Sequence, residues 1–492
     1  MTNSNSKGKA ILIGGGMAGL LAARVLSDHY DEVVVIEKDE FPAGPDLRPG
    51  TPQAFHPHRF MPRGKAVTER LFPGFEQDLA AQGCPSTLGK TMHFKNQYGT
   101  MEMNNDQNDR KFSRALLEWV IRQRVVSIPN VRFLPRHDVT GLLTTPDRSA
   151  VVGVKVRERS PSKLEKALTA DLVIDTSGRF SKLSDWLTDL GYEVPKPDLL
   201  KVSLGYSTRR YRVPPHLTHL IDKWDVINLQ GQPEGGTYTC VFSFIENGIA
   251  EVLLYRPGGN YPPTVADEFE LALKQLPSPI ISEMVRDLEP TALPRSYRVP
   301  ELYCHRYEQM SRWPAGLLVL GDAYCIYDPI FGQGMSVVTL TAEILEACLL
   351  ERREHHRSGW EQDALRRVKE VIEPAFWLNC TADLRWSGVE YEGSDSSTKS
   401  AFSREYMELF LQHAMRTSDL QLYGLYWAVN SLMVSPRHLF NPEMAVQVLS
   451  ASEEGRRLLS TLAGENGESI ETMLEERFPQ FSEAPYGHSY SG

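Results

Sequence analysis

Two glycine-rich turns, far apart in the chain, carry the residue types best suited to chemistry. The first is Gly14-x-Gly16-x-x-Gly19, which follows an apolar run from Lys9 to Ile13 and leads through Met17 and Ala18 into a helix expected to reach about His29. At this spacing the first glycine allows a tight turn, the second lets a pyrophosphate touch backbone, and the third lets the helix lie close on the strand. Val33 to Ile36 reads as the next strand, and Glu37 closes it about twenty residues past the glycines, followed by Lys38. A carboxylate at that point accepts hydrogen bonds from ribose hydroxyls and repels a 2′-phosphate. Taken alone, this half fits NAD and FAD equally.

The second turn lies within residues 316–349. Leu317 to Leu320 reads as a short buried strand that ends at Gly321-Asp322. A loop then crosses Asp328-Pro329, and Gly332-Gln333-Gly334 feeds a helix expected from Met335 to Leu349. An aspartate at a strand end is placed to accept from a polyol. Glycines just before a helix let a ligand approach the backbone, where free N–H groups and the positive end of the helix dipole point. Together with the opening fingerprint, this stretch reads as a flavin site.

Other elements must position these turns. Pro42 to Pro62 is proline-rich, shows no periodicity and reads as an ordered loop bearing Arg48, Gln53, His56, His58 and Arg59, with a helix from about Gly64. Its arginines could neutralise a pyrophosphate or simply be solvated. His56 and His58 have no third metal ligand in view, so no metal site is expected. Met92 to Met103 reads as a hairpin. Ser113 is a plausible N-cap for an amphipathic helix whose buried stripe is Leu116, Leu117, Val120, Ile121 and Val125. Arg114 in that first turn opposes the helix dipole, which hints at an anionic partner. Strands are expected at Val131 to Leu134, Val139 to Thr144, Val151 to Arg157 and Ala170 to Asp175.

From about Leu183 to Pro300 the pattern changes to alternating strands, with Tyr206, Tyr238, Phe242, Phe244 and Tyr255 read as sheet core. The fold class is therefore α/β. A Rossmann-like FAD-binding domain spans 1–182, with a small excursion near 85–112, and resumes at 301–350. A mixed β-sheet substrate domain, 183–300, is inserted between its two pieces, and a helical region fills 351–492. Within that last region Ser418 to Ser435 is the most apolar stretch, with Tyr423, Tyr426, Trp427 and Met433. A helix so apolar is buried, covers a greasy pocket or rests on a membrane surface, and burial is the default.

Composition sets outer limits. The 492 residues are 41% apolar and 24% charged, as in an ordinary globular protein, and the net charge of -10 argues against a nucleic-acid surface. No run of about 18 apolar residues suggests a transmembrane segment. The polar arm Met1 to Lys9 does not read as a signal peptide, and six cysteines without metal-ligand spacing suit reduced thiols in a cytoplasm.

With Gly14–Gly19, Ser113-Arg114-x-x-Leu117-Glu118, and Gly321-Asp322-Ala323 followed by Pro329 and Gly332-Gln333-Gly334, the chain resembles the class A FAD-dependent monooxygenases of the para-hydroxybenzoate hydroxylase fold, over roughly three quarters of its length. A narrower likeness is to the polyene epoxidases of polyether antibiotic pathways. It rests on Arg48-Pro-Gly-Thr-Pro-Gln53, Leu71-Phe-Pro-Gly74, Asp171 to Arg179 and Trp313 to Asp322. The resemblance implies FAD as cofactor, and an electron donor that is NAD(P)H or the reduced flavin of a partner reductase. It implies one oxygen atom of dioxygen passing from a flavin C4a-hydroperoxide to an apolar polyketide- or terpenoid-like substrate, with epoxidation ahead of hydroxylation. A non-redox cyclase built on FAD is the alternative, since related polyketide-pathway enzymes catalyse cycloadditions.

By the same likeness Val139 falls where backbone meets the adenine, and Pro329, Phe331 and Gly332 wall the oxygen-transfer chamber without any assigned acid or base. For a hydroxylase, Tyr324, Tyr327, His56 and His58 are candidates to deprotonate a phenol. The chain departs from the pattern at Tyr324-Cys325 and at Asp175-Thr-Ser-Gly178, two places that bear on how a reductant docks. The Trp-x-Trp-x-Ile-Pro motif of flavin halogenases is missing, which argues against halogenation.

Overall fold

The structure, a computed structural model, describes residues 7–161, 163–355, 358–393, 401–463 and 469–486, so the first six residues of the polar arm lie outside it. Strand β1 (Lys9–Ile13), helix α1 (Met17–Leu26) and strand β2 (Glu32–Ile36) open the chain. Helix α2 (Pro62–Leu71) follows the proline-rich loop. The hairpin β3 (Thr91–Asn96) and β4 (Gly99–Asn104) then leads to α3 (Arg114–Val126) and β5 (Val131–Leu134). A meander of β6 (His137–Thr144), β7 (Val151–Glu158) and β8 (Glu165–Thr169) precedes β9 (Leu172–Asp175). The sheet strands β10 (Leu204–Arg212), β11 (Trp224–Leu229), β12 (Thr239–Ile245), β13 (Ile249–Arg256) and β14 (Arg295–Val299) come next, then β15 (Leu317–Val319). The last third of the chain is mostly helical, and three of its helices bear on the site: α4 (Gln333–His355), α5 (Trp360–Asp383) and α6 (Leu420–Asn430).

The nucleotide-type sheet is five parallel strands in the order β15-β9-β1-β2-β5. Its strands are short runs of Val, Ile and Leu because both faces are covered, and Ala10 to Leu12, Val33 to Val35 and Leu172 to Ile174 are fully buried. Helix α1 can lie this close only because Gly19 has no side chain: a β-carbon there would stand 2.0 Å from the Gly14 carbonyl oxygen. The second large sheet is mixed, with path β10-β13-β12-β11-β3-β4 and β14 on the outer side of β10. The hairpin therefore joins this sheet, through a parallel pairing of β3 with β11.

Several expectations shift in detail. Helix α4 begins at Gln333, two residues earlier than expected, and runs on to His355. Its length and apolar composition would allow a membrane span, but two thirds of its most apolar window is buried in the fold. The Gly332 φ of +66° ends the preceding turn and starts the helix at once. The last third is not wholly helical, because Glu390–Glu392 forms a strand against Asp198–Lys201. Strands β8 and β14 were not expected; both are short, polar and weakly alternating, so their pairing partners define them more than their sequences do.

Exchanging Gly19 for alanine should destabilise the fold by about 3 kcal/mol or more, because the new methyl meets backbone that cannot retreat. The denaturant midpoint of the purified variant checks this; an unchanged midpoint would mean that α1 can tilt off β1.

Candidate functional site

The first half of the site is built at the carboxyl ends of β1 and β9. Gly14 has φ +107°, and a β-carbon on it would lie 2.5 Å from the Thr176 carbonyl oxygen. Thr176, just past β9, donates its hydroxyl to the carbonyls of Ile13 and Gly14 at 3.0 and 2.9 Å, tying the two turns together. Gly16, by contrast, is open: a β-carbon there would meet only an Arg48 nitrogen, 3.9 Å away. Met17 is buried and Ala18 half-buried at the start of α1. Backbone can therefore be approached at Gly16 and nowhere else in the turn.

Glu37 is buried, and its carboxylate accepts from the backbone N–H of Gly15 at 2.9 Å and of Asp39 at 3.0 Å. It thus shapes the glycine turn from below while keeping lone pairs for other donors. Arg48 differs from the expectation of a pyrophosphate cation. Its guanidinium is engaged by Glu118 at 2.9 Å, Asp39 at 2.9 Å and Glu37 at 3.4 Å, so its charge serves to hold three carboxylates together. Arg114 is the better cation for an anion. Ser113 caps its helix by accepting from Leu116 N–H, Glu118 holds one Arg114 nitrogen at 3.0 Å, and Nη1 is buried with no hydrogen-bond partner among the described residues.

The remaining residues expected on this side are more peripheral. Lys38 is half-buried, its ammonium 6.0 Å from the Phe180 ring. Gln53 lies in the single turn Pro52–Phe55, where its carbonyl accepts from His56 N–H. Val139 is half-buried in β6, two residues beyond His137, whose N–H bonds to the Glu37 carbonyl.

The second half adjoins the first. A β-carbon on Gly321 (φ +68°) would stand 2.9 Å from the Ala18 methyl, so the turn after β15 rests on the start of α1. Asp322 is half-buried, and its carboxylate has no hydrogen-bond partner among the described residues. Burial raises its pKa, with Arg179 and Arg114 opposing that rise. The Tyr303 hydroxyl bridges the Arg179 and Asp322 carbonyls at 2.9 and 3.1 Å.

Beyond it, Pro329–Phe331 forms one 3₁₀ turn capped by Asp328, which accepts from Ile330 N–H at 2.9 Å. Pro329 is exposed and Phe331 half-buried. Gly332 rests against Arg59 and Met61, where a β-carbon would come within 3.2 Å of both. Gln333 is among the positions expected at the cofactor, and its side chain takes no part in that. It is instead committed to Asn430 O at 3.0 Å and to Asn379 at 2.7 Å, leaving only its backbone available. Gly334 and Met335, half-buried in the first turn of α4, present N–H groups that have no partner within the helix.

An FAD fits these residues. The unpaired Arg114 Nη1, the open Gly16 backbone, the unpartnered Asp322 carboxylate and the α4 N-terminus offer, in turn, a cation for pyrophosphate, room for it, an acceptor for a polyol and donors for an anionic ring.

Facing the Pro329 turn is a row of three tyrosines, two of which, Tyr206 and Tyr255, sequence reasoning treated as core. Tyr206 on β10 pairs in register with Tyr255 on β13 and Tyr297 on β14. The Tyr255 hydroxyl donates to Asp328, and the Tyr297 hydroxyl accepts from Arg179 at 3.2 Å. His56 packs edge-on to Tyr206, ring centres 4.5 Å apart, with Nδ1 bonded to Thr208 at 2.8 Å. His58 bonds the His56 carbonyl instead, so the two imidazoles do not converge on a metal. Burial pushes His56 down to about 3 and His58 to about 4, which keeps both neutral. Tyr324 and Tyr327 lie behind the turn, Tyr324 donating to Glu308 at 2.7 Å. Such a row becomes visible only once strand register is known.

Helix α6 closes the other side. Besides the Gln333 bond to Asn430, Trp427 lies 5.1 Å beneath the Arg59 guanidinium and 5.2 Å from Phe94. Of the three roles open to this apolar stretch, its packing fits burial, the default, with Leu422, Tyr423 and Val429 inside and Leu420 and Met433 left exposed.

Comparison with known proteins follows the same lines. No family model matches the sequence. The chain is 31% identical to Protein Rv3254 of Mycobacterium tuberculosis over 77% of its own length and 81% of that protein's. It is 26% identical to Squalene epoxidase 4 of Arabidopsis thaliana over 66% of its length, a stretch spanning 59% of that enzyme. Among solved structures, p-nitrophenol 4-monooxygenase PnpA from Pseudomonas putida superposes with a TM-score of 0.59 at 18% identity, covering 86% of this chain and 97% of that one. The flavin-dependent brominase Bmp2 superposes with a TM-score of 0.61 at 15% identity, covering 91% and 99%. At these identities the structural matches speak to the fold.

Replacing Asp322 by alanine should strip most FAD from the purified protein, and Glu37→Ala should strip less, since Gly15 keeps its backbone path; the ratio of flavin to protein absorbance decides. Asp328 and Asp383 form a second testable feature. Each is buried against the other and raised above the ordinary carboxylate range by burial first, while the Tyr255 hydroxyl, Ile330 N–H and Arg385 favour ionisation. A raised carboxyl stabilises the fold fully below its unfolded value near 4, and that contribution is lost as pH rises through the folded value. Asp383→Asn should therefore gain thermal stability relative to the parent as pH goes from about 4 to neutrality. A pH-independent difference in melting temperature would mean that the pair holds no proton.

Proposed function

We propose that this chain, which belongs to the same family as Protein Rv3254, is a class A FAD-dependent monooxygenase that adds one oxygen atom to a carbon–carbon double bond of an apolar polyketide- or terpenoid-like substrate. The observation that supports this reading is the setting of the Pro329–Gly332 turn, tied to Tyr255 of the second sheet through Asp328 on one side and to Asn430 of α6 through Gln333 on the other.

FAD, when bound, supplies the activation of dioxygen with electrons from NAD(P)H or a reduced-flavin partner. The chain's own residues have the tasks of binding, orientation and drying. Arg114 and the Gly16 turn hold the pyrophosphate, Asp322 the polyol, and the start of α4 places a partial positive charge where negative charge is carried. Phe331, Trp427 and Phe94 exclude water from the space beside Gly332, which favours oxygen transfer over loss of peroxide. His56 is a neutral base held beside Tyr206, and among the described residues no acid or base is built into a relay at the Pro329–Gly332 turn, so the arrangement suits transfer to an electron-rich double bond by positioning.

The test is a screen of polyene and polycyclic polyketide-type compounds with holoenzyme, reductant and labelled dioxygen, followed by mass spectrometry. The expected product carries one labelled oxygen and has lost one double bond. Turnover under nitrogen without reductant, giving an isomer, would replace this reading with a cyclase.

A further inference from the structure

Within the tyrosine row, two members have their hydroxyls engaged and the middle one does not. Tyr255 donates to Asp328 and Tyr297 accepts from Arg179, whereas the Tyr206 hydroxyl between them has no hydrogen-bond partner among the described residues. Tyr206 is only 4% exposed, and its unpaired hydroxyl is not among the fully enclosed unpaired polar atoms, so the side chain is buried while its oxygen still meets open space. The His56 imidazole, 3% exposed and edge-on to the same ring, is in a similar state. Its Nδ1 is fixed by Thr208, which leaves Nε2 as the second hydrogen-bonding atom of the ring, again without a protein partner among the described residues.

Both side chains are held rather than mobile. Tyr206 is wedged between Tyr255 and Tyr297 by strand register, its ring centre 5.5 Å from that of Tyr297. The loop bearing His56 is pinned to the same sheet face, because Arg210, two pairs further along β10, donates to the Phe55 carbonyl at 2.8 Å. A held phenol and a held neutral imidazole, side by side, can donate and accept at one oxygen atom. Asp328 and Asp322, in the two turns that follow β15, and Arg179, past the end of β9, are electrostatic neighbours of the Tyr206 phenol, so the unpaired hydroxyl lies on the side of the sheet that faces the candidate cofactor site.

We propose that Tyr206 and His56 form a two-point hydrogen-bonding handle for an oxygen function of the substrate, a hydroxyl or carbonyl, so that the natural substrate is an oxygenated apolar molecule and not a plain hydrocarbon. This rests on the reading of the chamber given above for where the substrate lies. It narrows the substrate class and gives the chamber a defined orientation, with the oxygenated part of the molecule against the sheet and the apolar remainder toward α6.

The handle can be tested on oxidised holoprotein with 1-naphthol and naphthalene as probes, following the absorbance of bound FAD. The titration needs neither reductant nor oxygen, so it reads out whether or not oxygen transfer is ever observed, and the two proposals can fail separately. The parent protein should bind 1-naphthol about ten-fold more tightly than naphthalene, the worth of one well-made buried hydrogen bond. Tyr206→Phe should bring the two affinities within about two-fold of each other while leaving that for naphthalene unchanged. His56→Gln should reduce the preference in part, and it carries the test if the phenylalanine variant loses its flavin. An equal affinity for both probes in the parent, no binding of 1-naphthol at millimolar concentration, or a preference that survives both substitutions overturns the proposal.

Discussion

The arrangement depends on the register of three adjacent parallel strands. Ile174 in β9 pairs with Leu12 in β1 on one side and with Leu318 in β15 on the other, so the turns that leave these strands emerge at one level. Because the strands are parallel, all three carboxyl ends fall on the same edge, the edge where open α/β sheets bind their ligands. The close approach of Gly321 to Ala18 is then a consequence: two turns distant in sequence are forced together, and neither can carry bulk at the contact. A slip of one residue in β15 would turn Leu318 away from the core and carry Asp322 out of line with Gly16.

On this frame a small polar network fixes the far side. Asn379, buried in α5, donates to the Gln333 side chain and accepts from Asp328 N–H at 2.6 Å, while Gln333 reaches Asn430 at the end of α6. Three helices and the Pro329 turn are thereby joined through side chains that have lost all contact with water. Such a network specifies geometry strongly, since breaking one bond leaves its partner buried and unpaired. It also explains why an apolar helix from the last third of the chain can roof a site whose other parts lie in the first third. The attachment is polar and directional at Asn430, and the aromatic contact of Trp427 with Arg59 follows from it.

What could be read from the sequence was what is encoded locally. The glycine spacing, the cap at Ser113, the buried stripe of α3 and the strand at Lys9–Ile13 each depend on neighbours a few residues away, and each is found where the spacing puts it. Arg48 was misread because its sequence neighbours are prolines and glycines, whereas its charge is balanced by Glu118 from a helix seventy positions on. Gln333 was misread for the same reason: glutamine between glycines at a helix start suggests ligand contact, but its partners come from α5 and α6. The tyrosine row is the extreme case. Tyr206, Tyr255 and Tyr297 are separated by dozens of residues, and β14 is too short and polar to announce itself, so only pairing reveals that they share one line across the sheet.

The distribution of unpaired polar groups ties these strands of argument together. Some buried atoms without partners among the described residues, such as His93 Nε2 and Arg306 Nε, belong to side chains already anchored through another atom in an ion pair. Arg114 Nη1 is buried in the same way, whereas the Asp322 carboxylate and the Tyr206 hydroxyl have no hydrogen-bond partner among the described residues and are not fully enclosed, and the three run from the first turn of α3 past the turn after β15 to the face of the second sheet. Folding alone would favour pairing or removing the Arg114 nitrogen, at a gain of one or a few kcal/mol. That a cation, an anion and a neutral donor persist in this order is accounted for if their partners are, in the same order, a pyrophosphate, a polyol and an oxygen-bearing substrate.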